Sequence, residues 1–221
     1  MIQALIFDFD GLILDTESPE FHSWQNIYHE YGFEFPHDRW GSIIGGSGHS
    51  DFDAAEHLAA LTQGRLDSES LRARNRLESE QIIFAQGPLP GVIDTIHEAR
   101  RLGLKLAIAS SSPFSWVHSH AERIGVFDYF DHVITADDVP PGRIKPNPDL
   151  FLLALRRLKV PKEAAIVFED SPNGIKAAKR AGIFAVAVPN AATSALFFDG
   201  ADLILKSLKD LSVSQLMDKA K

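Results

Sequence analysis

A short apolar run, Ala4-Leu5-Ile6-Phe7, stops at Asp8-Phe9-Asp10-Gly11, with Asp15-Thr16-Glu17 close behind. The run reads as a buried strand, and carboxylates at the end of a buried strand cost desolvation unless a cation or a ligand uses them. Further apolar runs predict strands at 104–109, 133–135, 165–168, 184–188 and 203–205. Helical patterns lie between them. Val92, Ile96, Ala99 and Leu102 share one helical face before Gly103, the stretch from Asp149 to Leu158 follows a Pro-rich start, and a helix over 175–181 ends at Gly182. Strands alternating with helices imply an α/β fold with a parallel sheet covered on both faces.

One region breaks this rhythm. From about 17 to 86 no strand pattern appears, but Phe21, Trp24, Ile27, Tyr28 and Tyr31 recur at helical spacing, and Leu58, Leu61, Leu71 and Leu77 suggest more helices. Gly45-Gly46-Ser47-Gly48 reads as a loop, and Gly87-Pro88-Leu89-Pro90-Gly91 as a linker back to the sheet. The expected division is a core of 1–16 and 87–221 with an all-helical insertion at 17–86, whose aromatic stripe forms its own core. A short helix against the last strand is expected around Phe197 and Phe198.

The 221 residues include no cysteine, which excludes disulfides, zinc–thiolate sites and thiol catalysis. The net charge of −8 is wrong for broad binding to a nucleic-acid backbone. No stretch has the length of a membrane span, and the N-terminus lacks a signal-like pattern. The expectation is a cytoplasmic monomer that binds neither nucleic acid nor membrane.

Ligands of open parallel sheets bind outside the carboxyl ends of the strands. Four polar clusters fall there: Asp8 with Asp10, Ser110-Ser111-Ser112, Lys145, and Glu169-Asp170. Singly, each has a plainer reading: a turn, a helix cap, a surface lysine, acids at a helix N-terminus. Together they can converge on one crevice. Two unit charges 4 Å apart repel by about 4 kcal/mol at an effective dielectric near 20, so such a crowd of carboxylates calls for a cation or raised pKa values. An all-oxygen donor set favours Mg²⁺ over zinc or copper. Lys145 and Ser110 can then contact a phosphoryl group, one aspartate can attack phosphorus, and the other can move the proton. Gly11 lets backbone approach the site closely.

Asp8-Phe9-Asp10-Gly11-Leu12-Ile13-Leu14-Asp15-Thr16-Glu17 resembles the first motif of the haloacid dehalogenase-like hydrolase superfamily. Ile108-Ala109-Ser110-Ser111-Ser112 resembles the second, Lys145-Pro146-Asn147-Pro148 the third, and Val167-Phe168-Glu169-Asp170-Ser171-Pro172-Asn173-Gly174 the fourth. The subgroup it is most similar to is the beta-phosphoglucomutase-like phosphatases. The resemblance implies a Rossmann-like core with a mobile helical cap. It implies Asp8 as nucleophile, Asp10 as general acid/base, and Mg²⁺ held by Asp8, the Asp10 carbonyl and Asp170, with Glu169 acting directly or through water. It further implies that Ser110, Ser111 and Lys145 bind the phosphoryl group, that Thr16 marks the cap hinge, and that Asn173 supports the acidic loop. The expected partner is a small phosphorylated metabolite.

Asp10 suits a leaving alkoxide, which favours phosphate esters over carbon–halogen bonds. Two departures concern the cap. Mutases of the subgroup carry a histidine where this chain has Pro19-Glu20, and a cap-loop arginine where it has Gly46-Ser47-Gly48-His49-Ser50. His22 or His49 are the possible substitutes, and Arg72, Arg74 and Arg76 the possible anion grip. The expectation is an Mg²⁺-dependent phosphatase of small monoesters such as sugar phosphates. A sugar-phosphate mutase and a non-catalytic phosphometabolite-binding module are the alternatives.

Overall fold

The computed structural model describes residues 1–41, 44 and 52–220. Six strands, β1 (Ala4–Phe7), β2 (Lys105–Ala109), β3 (His132–Ile134), β4 (Ala165–Glu169), β5 (Phe184–Ala187) and β6 (Leu203–Ile204), form one sheet in the order β3-β2-β1-β4-β5-β6. Every pairing is parallel. Each strand lies within one residue of its predicted bounds. The helices are α1 (Glu17–Glu30), α2 (His37–Gly41), α3 (Ala54–Leu61), α4 (Ser68–Ala85), α5 (Val92–Arg101), α6 (Phe114–Arg123), α7 (Asp149–Leu158), α8 (Pro172–Arg180) and α9 (Val213–Lys219).

The period of two along each strand sorts the core into two layers. Leu5, Phe7, Leu106, Ile108, Ile166 and Phe168 point to one face, where α5, α6 and α9 cover them. Ala4, Ile6, Ala107, Ala109, Ala165 and Val167 point to the other, against α7 and α8. With both faces covered, the strands carry unbroken apolar runs, which is why they were readable.

Between β1 and α5 the chain makes α1–α4, a helical insertion with its own core of Phe21, Trp24, Ile27, Tyr28, Leu58 and Leu71, among others. Tyr28 anchors it by donating to the Ala54 carbonyl at 2.7 Å. The predicted stripe is only partly buried. Tyr31, Leu61 and Leu77 face solvent, because Tyr31 falls past the end of α1 and the other two sit on outer faces of their helices. The Gly45–Gly48 loop lies outside the described residues. Phe197 and Phe198 form no helix: they follow a run of turns, with Phe198 buried in the α8-side core and Phe197 85% exposed. α6 was not foreseen, since its Ser- and His-rich sequence carries only Val117 and Ala121 as a buried pair of apolar residues.

Register levels the strand ends. Phe7 lies opposite both Ile108 of β2 and Phe168 of β4. The residues that follow each strand, Asp8, Ser110 and Asp170, therefore emerge side by side at the carboxyl edge, where the connections diverge to either side of β1.

Candidate active site

A cleft of about 800 Å³ separates this carboxyl edge from the helical insertion. Asp8, Asp10, Thr16, Ser110, Ser111 and Lys145 line it from the core side. At its floor Lys145 Nζ forms an ion pair with Asp8 Oδ1 and a second with Glu169 Oε1 at 2.7 Å. Lys145 is 1% exposed, so it is no surface lysine. Burial alone pushes an ammonium toward neutrality; here Asp8 and Glu169 outweigh it and hold Lys145 protonated.

Asp8, Glu169 and Asp170 are all buried and offer carboxylate oxygens within 4.8 Å of one another. Asp170 Oδ1 is buried without a hydrogen-bond partner among the described residues. One ammonium against three carboxylates leaves negative charge uncompensated, and an orphaned carboxylate oxygen facing two others fits a hard divalent cation. The carboxylate of Asp10 is outside this cluster. Its oxygens accept from Thr16 Oγ1 (3.0 Å), Ser110 Oγ (3.1 Å), Ser112 Oγ (2.7 Å) and Trp116 Nε1 (2.8 Å). The two aspartates thus occupy different environments, one among ionic groups and one among hydroxyls.

Glycines shape the cluster at two points. Gly11 has φ +75°, and a Cβ there would lie 2.3 Å from Asp170 Oδ2. It does not line the cleft; it lets the Asp8–Asp10 turn pass close against the acidic loop. Gly174 is held by Ser171 Oγ at the start of α8, and a Cβ on it would strike the Glu169 carboxyl at 1.9 Å.

Sequence reasoning missed four groups. Asn190, after β5, donates to Asp170 Oδ2 (2.7 Å) and to the Gly11 carbonyl (3.1 Å), while its Oδ1 accepts from Ala192 and Thr193. Trp116 holds Asp10. Glu17 and Glu20, on the first turns of α1, bring two more carboxyls. Asn173 also donates to the Ile44 carbonyl at 3.0 Å and so links the acidic loop to the insertion. Of the other proposed residues, His22 is exposed and outside the cleft lining, and His49 lies outside the described residues. Arg74 is tied to Glu30 and Glu78, and Arg72 to Asp53 and Glu56; of the arginines on α4, Arg72 and Arg76 line the cleft.

Replacing Asn190 by Ala leaves an oxygen of the Asp170 carboxylate and the Gly11 carbonyl without their donor. The expected cost is about 1–3 kcal/mol, or a Tm lower by about 2–12 °C. The expected loss in Mg²⁺ affinity is about 10–100-fold, read by calorimetric titration. Unchanged Mg²⁺ affinity would show that Asn190 does not orient Asp170.

Charge crowding also sets a pH dependence. Burial first, then Glu169, pushes the Asp8 carboxyl up to about 8 against the pull of Lys145. Burial likewise pushes Glu17 up to about 8, and Asp170 is raised by burial and by Glu17 beside it. Between the unfolded values near 4 and these folded values, the native state holds protons that the unfolded chain has released, so stability falls as pH rises. Surface acids with lowered values, such as Asp138, act only below that window. Thermal melts in chelator are expected to show Tm falling from about pH 5 to about pH 8, with Mg²⁺ flattening the slope. A Tm that rises across this range would contradict the crowded-carboxylate picture.

Comparisons with known proteins agree with this arrangement. A family model for haloacid dehalogenase-like hydrolases matches residues 5–188. YhcW of Bacillus subtilis is 42% identical over 218 residues, covering 99% of this chain and 97% of that protein. The phosphorylated carbohydrates phosphatase of Thermotoga maritima is 33% identical over 186 residues, 82% of each chain. The crystal structure of a CbbY mutant from Rhodobacter sphaeroides, in complex with xylulose-(1,5)bisphosphate, superposes with a TM-score of 0.71 at 28% identity, covering 98% of this chain and 99% of that one. In sequence and in fold the chain belongs to the haloacid dehalogenase-like hydrolase family, among its phosphatases related to beta-phosphoglucomutase and CbbY.

Proposed function

We propose that the protein is an Mg²⁺-dependent phosphatase of small phosphorylated carbohydrates and that Asp8 carries the phosphoryl group between the two half-reactions. The observation that carries this reading is the separation of Asp8, paired with Lys145 beside Glu169 and Asp170, from Asp10, held by hydroxyls and an indole. A binding module has no use for two carboxylates kept in such different surroundings.

Asp8, Glu169 and Asp170 would hold the Mg²⁺, which when bound supplies a positive charge that offsets phosphoryl oxygens and carboxylates alike. Lys145 and Ser110 bind and orient the phosphoryl group. An Asp8 carboxylate oxygen attacks phosphorus, and the ester P–O bond breaks as Asp10 gives its proton to the departing oxygen. In the second half, Asp10 takes a proton from the water that attacks the aspartyl-phosphate, releasing phosphate and freeing Asp8. Thr16 joins the core to α1, so swinging of residues 17–86 about this junction would break its bond to Asp10 and free that carboxyl for proton transfer. Closure would also shield the site from bulk water. The relative named for phosphorylated carbohydrates supports the substrate class.

Phosphate release across a panel of sugar phosphates, nucleotides and aryl phosphates tests this. Release that needs Mg²⁺, stops in chelator and is fastest on sugar phosphates is expected. Conversion of a hexose 1-phosphate to its 6-phosphate without phosphate release would assign a mutase instead.

A further inference from the structure

The cleft wall opposite the phosphoryl site is unusually acidic. Residues 17–86 contain five arginines and no lysine against twelve aspartates and glutamates, which accounts for seven of the chain's eight net negative charges. No Lys or Arg occurs between Arg39 and Arg65. On the wall itself, Arg72 is already bound to Asp53 and Glu56. Arg76 lines the cleft together with two carboxylates, Glu20 and Glu80.

Glu20 is the best positioned of these acids. It lines the same cleft as Asp10, on the side of the insertion. Asn75 Nδ2 ties its backbone carbonyl at 3.1 Å, and Trp24, one turn further along α1, lines the cleft beside it. Burial in the cleft, and then Asp10, push its carboxyl up to about 7. A desolvated carboxyl in this place gains from a neutral hydrogen-bonding ligand and loses from a further anion.

We propose that Glu20 is the specificity-determining residue of the leaving-group side of the cleft: it hydrogen-bonds a hydroxyl of an uncharged, polyhydroxylated leaving group and turns away substrates that carry a second phosphate. This inference rests on the phosphatase reading above. The enzyme is thereby a monophosphatase. The first phosphate meets Lys145 and the metal cluster at the core, whereas a second would meet the acidic wall.

The test compares kcat/KM for the best sugar monophosphate of the panel, its bisphosphate homologue and phenyl phosphate, which offers no hydroxyl. The parent protein is expected to prefer the monophosphate over the bisphosphate by about tenfold or more, with the margin shrinking at high salt. Glu20→Leu is expected to lower the ratio of sugar monophosphate to phenyl phosphate turnover about tenfold, through KM rather than kcat. Glu20→Gln keeps the hydrogen bond without the charge. It is expected to hold that ratio within about threefold of the parent while the preference against bisphosphate shrinks. An unmoved ratio in Glu20→Leu, or a parent that hydrolyses the bisphosphate equally well, would overturn the assignment to Glu20. Failure of the parent to release phosphate from any ester, phenyl phosphate included, would instead remove the phosphatase reading and this inference with it.

Discussion

Asp8→Asn is expected to abolish phosphate release, by on the order of 10⁴-fold or more, while making the metal-free protein more stable. The two effects share one cause. Asp8 is 4% exposed and sits among Glu169, Asp170 and Asp10, with Lys145 as its single cationic partner among the described residues. Its carboxyl is pushed up to about 8, so the fold opposes the charge that a nucleophile requires. The amide removes that charge and leaves Lys145 paired with Glu169 at 2.7 Å. A gain of about 1–2 kcal/mol, or a Tm higher by about 2–8 °C in chelator, is expected. The amide has no anionic oxygen with which to attack phosphorus. Activity assays alongside melts in chelator check both halves. A variant that loses activity and also loses stability would mean that Asp8 holds the loop together rather than performing the chemistry.

Lys145→Met is expected to have the opposite effect on stability and a large effect on rate. Lys145 is the cation that the floor of the cleft depends on, 1% exposed and bonded to two carboxylates. Removing it strands those charges in the interior, a change that costs about 3–5 kcal/mol when a buried pair is broken, or a Tm lower by about 6–20 °C. The loss grows above about pH 8, where Asp8 gives up its proton and its charge is left beside the missing ammonium. Turnover is expected to fall by at least about 10²–10³-fold, as when one donor to a developing anion is removed. Lys145→Arg is not expected to rescue it, since a planar fork does not replace a compact ammonium in a closed site. Equal Tm losses at about pH 6 and about pH 9 would show that Lys145 acts by packing alone.

Much of this could be read from sequence, for identifiable reasons. The strands were legible because a sheet covered on both faces requires unbroken apolar runs, and the site motifs were legible because each directly follows such a run. Their convergence was an inference from topology, and Phe7 level with Ile108 and Phe168 is its structural basis. What stayed hidden is held by contacts far apart in the chain. Asn190 lies 179 residues from Gly11, whose carbonyl it binds, and nothing in its neighbourhood, Pro189-Asn190-Ala191, distinguishes it from an ordinary turn. Trp116 reaches Asp10 over a separation of 106 residues. Glu20 was marked in sequence only as a departure, standing where mutases of the subgroup carry a histidine, and its place in the cleft lining came from the structure. The solvent-facing Leu61 and Leu77 show the converse: helical spacing finds a helix but does not say which of its apolar residues reach the core.

The central claim is that a phosphoryl group becomes covalently attached to Asp8 during turnover. The measurement that tests it most directly is rapid acid quench of the parent protein during turnover of its best ester, followed by borohydride reduction and peptide mapping. An acyl phosphate on Asp8 is expected to be reduced, converting that residue to homoserine, in the presence of Mg²⁺ and substrate together and in neither alone. Robust phosphate release with Asp8 unmodified, or with the phosphoryl group found on a serine of the Ser110–Ser112 segment, would contradict the account.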